Sequence, residues 1–216
     1  LATAGELQPG HVIAVVRHAR DSVVESITDA MPNALIVDQD EIPGTGRAVE
    51  VAIAALPADF AGDVVVVSGD VPLLDAATLR SLIDTHRAAS AAATVLSAIL
   101  DDATGYGRIV RGSGGEVDRI VEQADATDDE RAITEINSGT YVFSVAPLRE
   151  QLALVGTKNA QGEKYLTDVV GLLRAAGSAV AAMPVPDGWR VSGVNDRVQL
   201  AEASRRMNEL IVKRWQ

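Results

Sequence analysis

The sequence predicts a doubly wound α/β fold on a mostly parallel sheet, with an antiparallel hairpin inserted in its second half. Three observations predict it. Apolar, β-branched runs alternate with stretches of helical period from the first residues onward, the punctuation of βαβ units. The run Val64-Val65-Val66-Val67 lacks polar alternation, as for a parallel strand covered on both faces by crossover helices. Finally, Gly112-Ser113-Gly114-Gly115 separates two short apolar segments, the composition of a hairpin turn.

Taken in order, the apolar runs predict strands over 11–16, 34–37 and 63–67, with helices over 21–30 and 45–56 between them. Asp75 is the expected N-cap of a helix reaching about residue 89, and 93–100 reads as the next buried strand. The hairpin pairs 108–111 with 117–123 at the rim of the sheet, where it overhangs a cleft. Residues 125–135 form an acidic run, most of it read as a solvated loop. A strand at 136–145, helices at 147–155 and 165–175, and a strand at 180–185 follow. The last helix runs from Asp196 to the C-terminus, with Leu200, Met207 and Leu210 expected to face the core. The expected domain is 1–195, with 196–216 as a helix leading out of it.

A chain of 216 residues can bury a sizeable core, and no apolar run approaches the roughly 18 residues of a membrane span. Nineteen basic residues against 30 acidic ones give a net charge of −11, and the cations are scattered, so binding by neutralising nucleic-acid phosphates is not expected. With no cysteine there is no disulfide, thiol nucleophile or sulfur-based zinc site. No signal peptide is recognisable at the first residue, Leu1, and a cytoplasmic location is expected. His11, His18 and His86 have no metal-ligand spacing and read as structural or surface residues. There is no Gly-x-Ser-x-Gly elbow, hydrolase triad or glycosidase pair.

The sharpest chemical signal is Ser68-Gly69-Asp70-Val71-Pro72, where an apolar strand stops on Gly-Asp. In open α/β sheets the carboxyl ends of strands face the ligand crevice, and a carboxylate there suits a hard cation shared with substrate phosphates. Asp70 also reads as a turn-forming residue before a helix. Gln39 and Pro43-Gly44-Thr45-Gly46 follow another strand and open a helix, where backbone N–H groups can approach a ligand; an ordinary helix start has the same composition. Gly107, Glu122, Asn137, Tyr165 and Thr167 lie at strand edges or at a helix start. Their types suit sugar hydroxyls and amides, although each has a bland local reading.

In this order, Gln39 with Pro43-Gly44-Thr45-Gly46, Ser68-Gly69-Asp70-Val71-Pro72-Leu73-Leu74, Gly105-Tyr106-Gly107-Arg108-Ile109, Ile120-Val121-Glu122, Glu135-Ile136-Asn137-Ser138-Gly139, the run Asn159-Ala160-Gln161-Gly162-Glu163-Lys164-Tyr165-Leu166-Thr167-Asp168 and Gly193-Val194-Asn195 closely resemble the uridyltransferase domain of the bacterial bifunctional N-acetylglucosamine-1-phosphate uridyltransferases. The resemblance covers essentially the whole chain. It implies a Rossmann-like sheet of the nucleotide-diphospho-sugar transferase type and transfer of a uridylyl group from UTP to N-acetylglucosamine 1-phosphate. By resemblance, Asp70 and Asn195 hold Mg²⁺. Gln39, Gly44, Thr45, Ser68 and Gly69 contact the nucleotide, and Gly107, Glu122, Asn137, Tyr165 and Thr167 line the sugar side. A homotrimer is implied for the full-length family protein.

Three departures accompany the resemblance. Ile42 stands where a second base-binding glutamine can occur. The family's first strand, with its Gly-x-Gly-Thr-Arg-Met loop and the following lysine, has no counterpart before Leu1, so the 216 residues alone are expected to bind UTP weakly and turn over little. The hexapeptide-repeat β-helix that follows in the bifunctional protein likewise has no counterpart within these 216 residues. Two rival readings are a nucleotidyltransferase for glucose 1-phosphate and a nucleotide-binding fragment without catalysis.

Overall fold

The computed structural model describes residues 1–215. A short helix, α1 (Ala2–Gly5), precedes β1 (Ile13–Val16), α2 (Arg20–Ala30) and β2 (Leu35–Asp38). Then come α3 (Thr45–Ala54), β3 (Asp63–Val66), α4 (Ala76–Ala88) and β4 (Ala93–Ile99). The second half holds β5 (Gly107–Arg111), β6 (Val117–Val121), α5 (Asp128–Arg131), β7 (Glu135–Ser144), α6 (Val145–Leu152), α7 (Asp168–Ala175), β8 (Val180–Val185) and α8 (Arg197–Arg214). The expected helix end at residue 216 lies outside the described residues.

The α/β reading and its hairpin hold, but the strand pairing is mixed rather than mostly parallel, with two parallel ladders and four antiparallel ones among the described residues. β1 and β2 pair in parallel as a two-stranded sheet, while a six-stranded sheet runs β6-β5-β7-β4-β8, with β3 also on β7. β4 and β8 are parallel, whereas β7 runs antiparallel to β3, β4 and β5, and β5 antiparallel to β6. Thus β3, β4, β5 and β8 share one direction, and β7 and β6 oppose it. Along one edge β7 meets β5 at Ile136 and Asn137, then β3 from Tyr141 to Ser144. Between these partners the ladder gives way, and the register of β4 against β7 shifts between Val95 and Ser97.

Two packed clusters flank the six-stranded sheet. On one side α6 and α7 bring Leu148, Leu152, Val169, Val170 and Leu173 against Val95, Ile109, Tyr141 and Phe143. On the other, Leu79 and Leu82 of α4 meet Leu96, Ile136 and Val142. Asp75 caps α4 as expected, its carboxylate accepting from Thr78 N–H at 2.8 Å.

Several expectations need correction. The valine run is not buried on both faces: all of β3 is half-buried and Val67 is 41% exposed. Its ladder is with β7 alone, so among the described residues one edge of β3 has no strand against it. Most of the acidic run is loop, as expected, and the short α5 within it starts where Thr127 and Glu130 form a reciprocal capping box. Leu200 and Met207 of α8 do not enter the core; they are 53% and 39% exposed, and Leu210 is only partly covered. α8 has the spacing of a core helix, but among the described residues no layer packs over that stripe. His86, by contrast, is structural: it is buried, with its ring nitrogens 3.0 Å from Thr94 Oγ1 and 3.2 Å from Ser144 Oγ.

Candidate active site

The residues singled out from the sequence gather in three linked groups. The first is the loop after β2. Gln39 Nε2 donates to the carbonyls of Ile42 and Gly44, both at 3.0 Å, so the amide nitrogen is spent on shaping the loop and the amide oxygen is the group left to read a ligand. The loop is clasped by a distant segment. Lys164 N–H donates to Pro43 O at 2.9 Å, Gly46 N–H donates to Lys164 O at 2.8 Å, and Leu166 N–H donates to Thr45 Oγ1 at 3.3 Å.

This clasp explains the glycines differently from the sequence reading. Gly44 sits at φ +109°, and a Cβ there would lie 2.4 Å from Lys164 O; one at Gly46 would lie 2.7 Å from the same atom. The close approach they permit is to the protein's own backbone. The Gly46 N–H, expected to be available to a ligand, is occupied.

The second group is the wall formed by the hairpin, β7 and the 164–167 segment. Thr167 is the N-cap residue of α7, rather than lying inside a helix begun at 165. Its hydroxyl donates to Glu122 Oε1 at 2.9 Å. Burial pushes the Glu122 carboxyl above its ordinary value, with Asp168, Asp125 and Glu163 adding to the rise and the Thr167 hydrogen bond opposing it. A Cβ at Gly107 would stand 3.3 Å from Glu122 Oε2, and Gly107 is paired across the ladder with Asn137. Asn137 Oδ1 accepts from Gly139 N–H at 3.0 Å, closing the place where β7 changes partners. Tyr165 is buried, its hydroxyl 2.6 Å from Gln161 Oε1 and 3.2 Å from Asp125 Oδ2; burial pushes its pKa up.

The third group lies beyond β3. Ser68 Oγ is 3.1 Å from where a Cβ on Gly139 would sit, which joins this group to the wall. Val194 N–H donates to Asp70 O at 2.9 Å, and Gly193 brings the two candidate cation ligands together. A Cβ there would be 3.3 Å from Asp70 Oδ2 and 3.8 Å from Asn195 Nδ2. One exposed carboxylate beside one exposed amide is an oxygen-donor set for a hard cation that takes its remaining ligands from phosphate and water. Among the described residues no cluster of three or more His, Cys, Asp or Glu is placed to hold a metal ion.

Against known sequences, residues 8–202 match the Nucleotidyl transferase family. The chain belongs to this family. The transferase is 62% identical over its whole length to Bifunctional protein GlmU of Leifsonia xyli subsp. xyli and 58% identical to that of Clavibacter sepedonicus. In each case it spans 44% of the relative's length. Among solved structures, a UDP-glucose pyrophosphorylase complexed with UDP-glucose matches this nucleotidyl transferase with a TM-score of 0.60 at 14% identity, over 83% of this chain and 75% of that one. HddC from Yersinia pseudotuberculosis matches with a TM-score of 0.57 at 18% identity, over 84% and 72%. At those identities the likeness is one of fold alone.

Sequence reasoning missed Lys164, Glu50 and Arg47. Lys164 is only 8% exposed, and its Nζ donates to Glu50 Oε1 at 2.8 Å. The lysine lies inside a recognised motif and could have been singled out as a cation in an apolar context, but nothing local points to Glu50, 114 residues away. No helix among the described residues is long and apolar enough to cross a membrane.

Proposed function

We propose that this nucleotidyl transferase moves a uridylyl group from UTP to N-acetylglucosamine 1-phosphate, giving UDP-N-acetylglucosamine and pyrophosphate. A phosphate oxygen of the sugar phosphate attacks the α-phosphorus of UTP in line. The new P–O bond forms as the α–β bridging bond breaks, and pyrophosphate leaves with that bridging oxygen. No covalent nucleophile is needed, so the protein acts by positioning and by charge neutralisation.

The observation that carries this reading is the clasp at Lys164. It sets the Gln39 loop on one side of the 164–167 segment and the Glu122–Thr167 pair on the other, so one short segment is shared by a base-reading loop and a polar wall. Gln39 has its nitrogen committed and its oxygen free, which suits the N3–H donor of uracil and opposes the bare N3 of cytosine. Glu122, Thr167 and Asn137, with Gly107 giving clearance, supply the donors and acceptors for sugar hydroxyls and the acetamido group. Tyr165 braces that wall through Asp125 and Gln161. Ser68 and Gly69 lead the nucleotide toward Asp70.

Asp70 and Asn195 are the residues that would hold Mg²⁺, with phosphate oxygens completing its shell. Bound there, such a cation would supply charge neutralisation at the phosphates. Relatives with 62% and 58% identity named as a bifunctional protein support the choice of sugar nucleotide chemistry in this chain.

The test is pyrophosphate release from UTP and Mg²⁺ with N-acetylglucosamine 1-phosphate or glucose 1-phosphate as acceptor. It is run on the chain alone and on the chain extended by the glycine-rich loop expected from the resemblance. Turnover with the acetamido sugar and at least about tenfold less with glucose 1-phosphate is expected, the scale of a polar site left unpaired by a missing group. Equal use of both acceptors, or none of either in both proteins, would overturn the assignment.

A further inference from the structure

We propose that Lys164 and Glu50 form a positioning pair that locks the Gln39–Gly46 loop onto the 164–167 segment and thereby sets which base the loop accepts. The ligand rests on the uridylyl-transfer reading; the lock rests on the geometry. An ammonium group is costly to bury unless it is paired and hydrogen-bonded. Lys164 is nevertheless the one buried lysine among the described residues, and the carboxylate that meets it comes from the middle of α3.

The pairing continues outward. Glu50 Oε2 accepts from Arg47 Nη1 at 2.6 Å, and Arg47 Nε reaches both oxygens of Asp40 at 3.1 Å. Asp40 Oδ1 in turn accepts from Ile42 N–H at 3.2 Å. Burial alone would push the Glu50 carboxyl up, yet its bonds to Lys164 and Arg47 hold it below its ordinary value, so it faces Lys164 as an anion. Alternating charges thus run from the 164–167 segment to the tip of the loop. They end on Ile42, whose carbonyl also accepts from the Gln39 amide.

The backbone clasp and the charge chain constrain different coordinates. The bonds among Pro43, Gly46 and Lys164 set the spacing of the two segments. The Lys164–Glu50 pair sets how far α3 is advanced along the segment, and with it the direction in which Gln39 Oε1 points. Neither Lys164 nor Glu50 is among the residues assigned to the nucleotide. Both act through Gln39, which makes them positioning residues.

The test uses the ¹⁵N-labelled 216-residue chain as it stands, titrated with UTP and with CTP, together with amide hydrogen exchange at residues 46 and 164. The wild type is expected to prefer UTP. Lys164→Met is expected to weaken UTP binding about tenfold, the scale of one hydrogen bond to a charged group. CTP binding should change little, and exchange at both amides should quicken by a similar factor. Glu50→Gln should do the same. The double variant should be no worse than either single, because the residues act as one unit. Lys164→Arg, which keeps the charge, should recover part of the preference.

If neither the wild-type chain nor its loop-extended form binds either nucleotide, the uridylyl-transfer reading fails and the pair's role in base choice fails with it. If the wild type prefers UTP and folded Lys164→Met prefers it equally, the inference is overturned while the function stands. Should Lys164→Met not fold, Glu50→Gln decides on the same terms.

Discussion

Replacing Gly46 by alanine sets two well-known effects against each other. Gly46 lies in the first turn of α3 at an ordinary helical φ, so helix propensity alone favours alanine by about 1 kcal/mol. The added Cβ would stand 2.7 Å from Lys164 O and 3.1 Å from the Tyr165 carbonyl carbon. The obstacle is backbone, and it is fixed in place by the hydrogen bond from the Gly46 N–H itself. Overpacking a well-packed site costs typically 1–3 kcal/mol, and an immovable neighbour puts this site at or above the upper end. The expected net loss is therefore about 2 kcal/mol. Gly171→Ala in α7 is the matched control: its Cβ would meet only Arg119 Cβ at 3.4 Å, an ordinary contact, so the propensity gain of up to about 1 kcal/mol should appear unopposed. For a domain of this size 1 kcal/mol shifts Tm by about 2–4 °C, so the two variants should melt roughly 6–12 °C apart, on either side of the wild type. Urea unfolding with unchanged m-values checks that the shift is one of stability. A Gly46→Ala protein as stable as the wild type would show that the 43–46 and 164–166 segments do not lie in close backbone contact.

Three further outcomes are expected. Glu122 has a raised carboxyl pKa, so between its unfolded and folded values the native state binds more protons and stability falls as pH rises. Glu122→Gln should therefore stabilise the chain at pH 7, with the gain shrinking as pH falls through the raised folded value toward the ordinary glutamate value; melts across pH 4–8 test this, and an increment that grows toward acid would contradict it. Asp70→Ala and Asn195→Ala, made in the loop-extended chain, should each lower Mg²⁺-dependent pyrophosphate release by at least ~10²-fold with unchanged melts, and near-normal turnover in both would remove the cation assignment. Gln39→Ala should abolish the preference for UTP over CTP, which competition between the two nucleotides measures; a preserved preference would move base reading elsewhere.

The sequence made the element list legible because local signals carry it: periodicity, a run of β-branched residues, an aspartate three residues before Thr78 N–H. β8 falls at 180–185 as read, and Asp75 caps α4. What it could not carry was which strands lie beside which. The apolar residues of β7 read alike whether its neighbours run with it or against it, since a strand buried on both faces has no alternation to interrogate. The site shows the same division. Gly44, Thr45, Glu122 and Thr167 were legible as members of motifs, but what their atoms meet was not, because Gly46 meets residue 164 and Glu122 meets residue 167 across long spans of chain. The exposed stripe of α8 was misread for a related reason: helical period reports that a face is apolar and not whether anything lies over it.

β7 also governs the order in which the six-stranded sheet can be assembled. The ladder partner of β3 is β7, and the partners of β4 are β7 and β8, so both earlier strands wait for segments synthesised after them. A ribosome that has delivered residue 100 has produced two strands of this sheet without the residues that will pair with them, and one is Asp-Val-Val-Val, a β-prone apolar stretch. Closure is then a late, non-local event spanning some 80 residues from Asp63 to Ser144, the kind of contact that folds slowly and leaves strand edges open to other chains meanwhile. Asp63 at the head of that stretch, paired in the finished domain with Arg87, places a charge on the vulnerable edge during that interval.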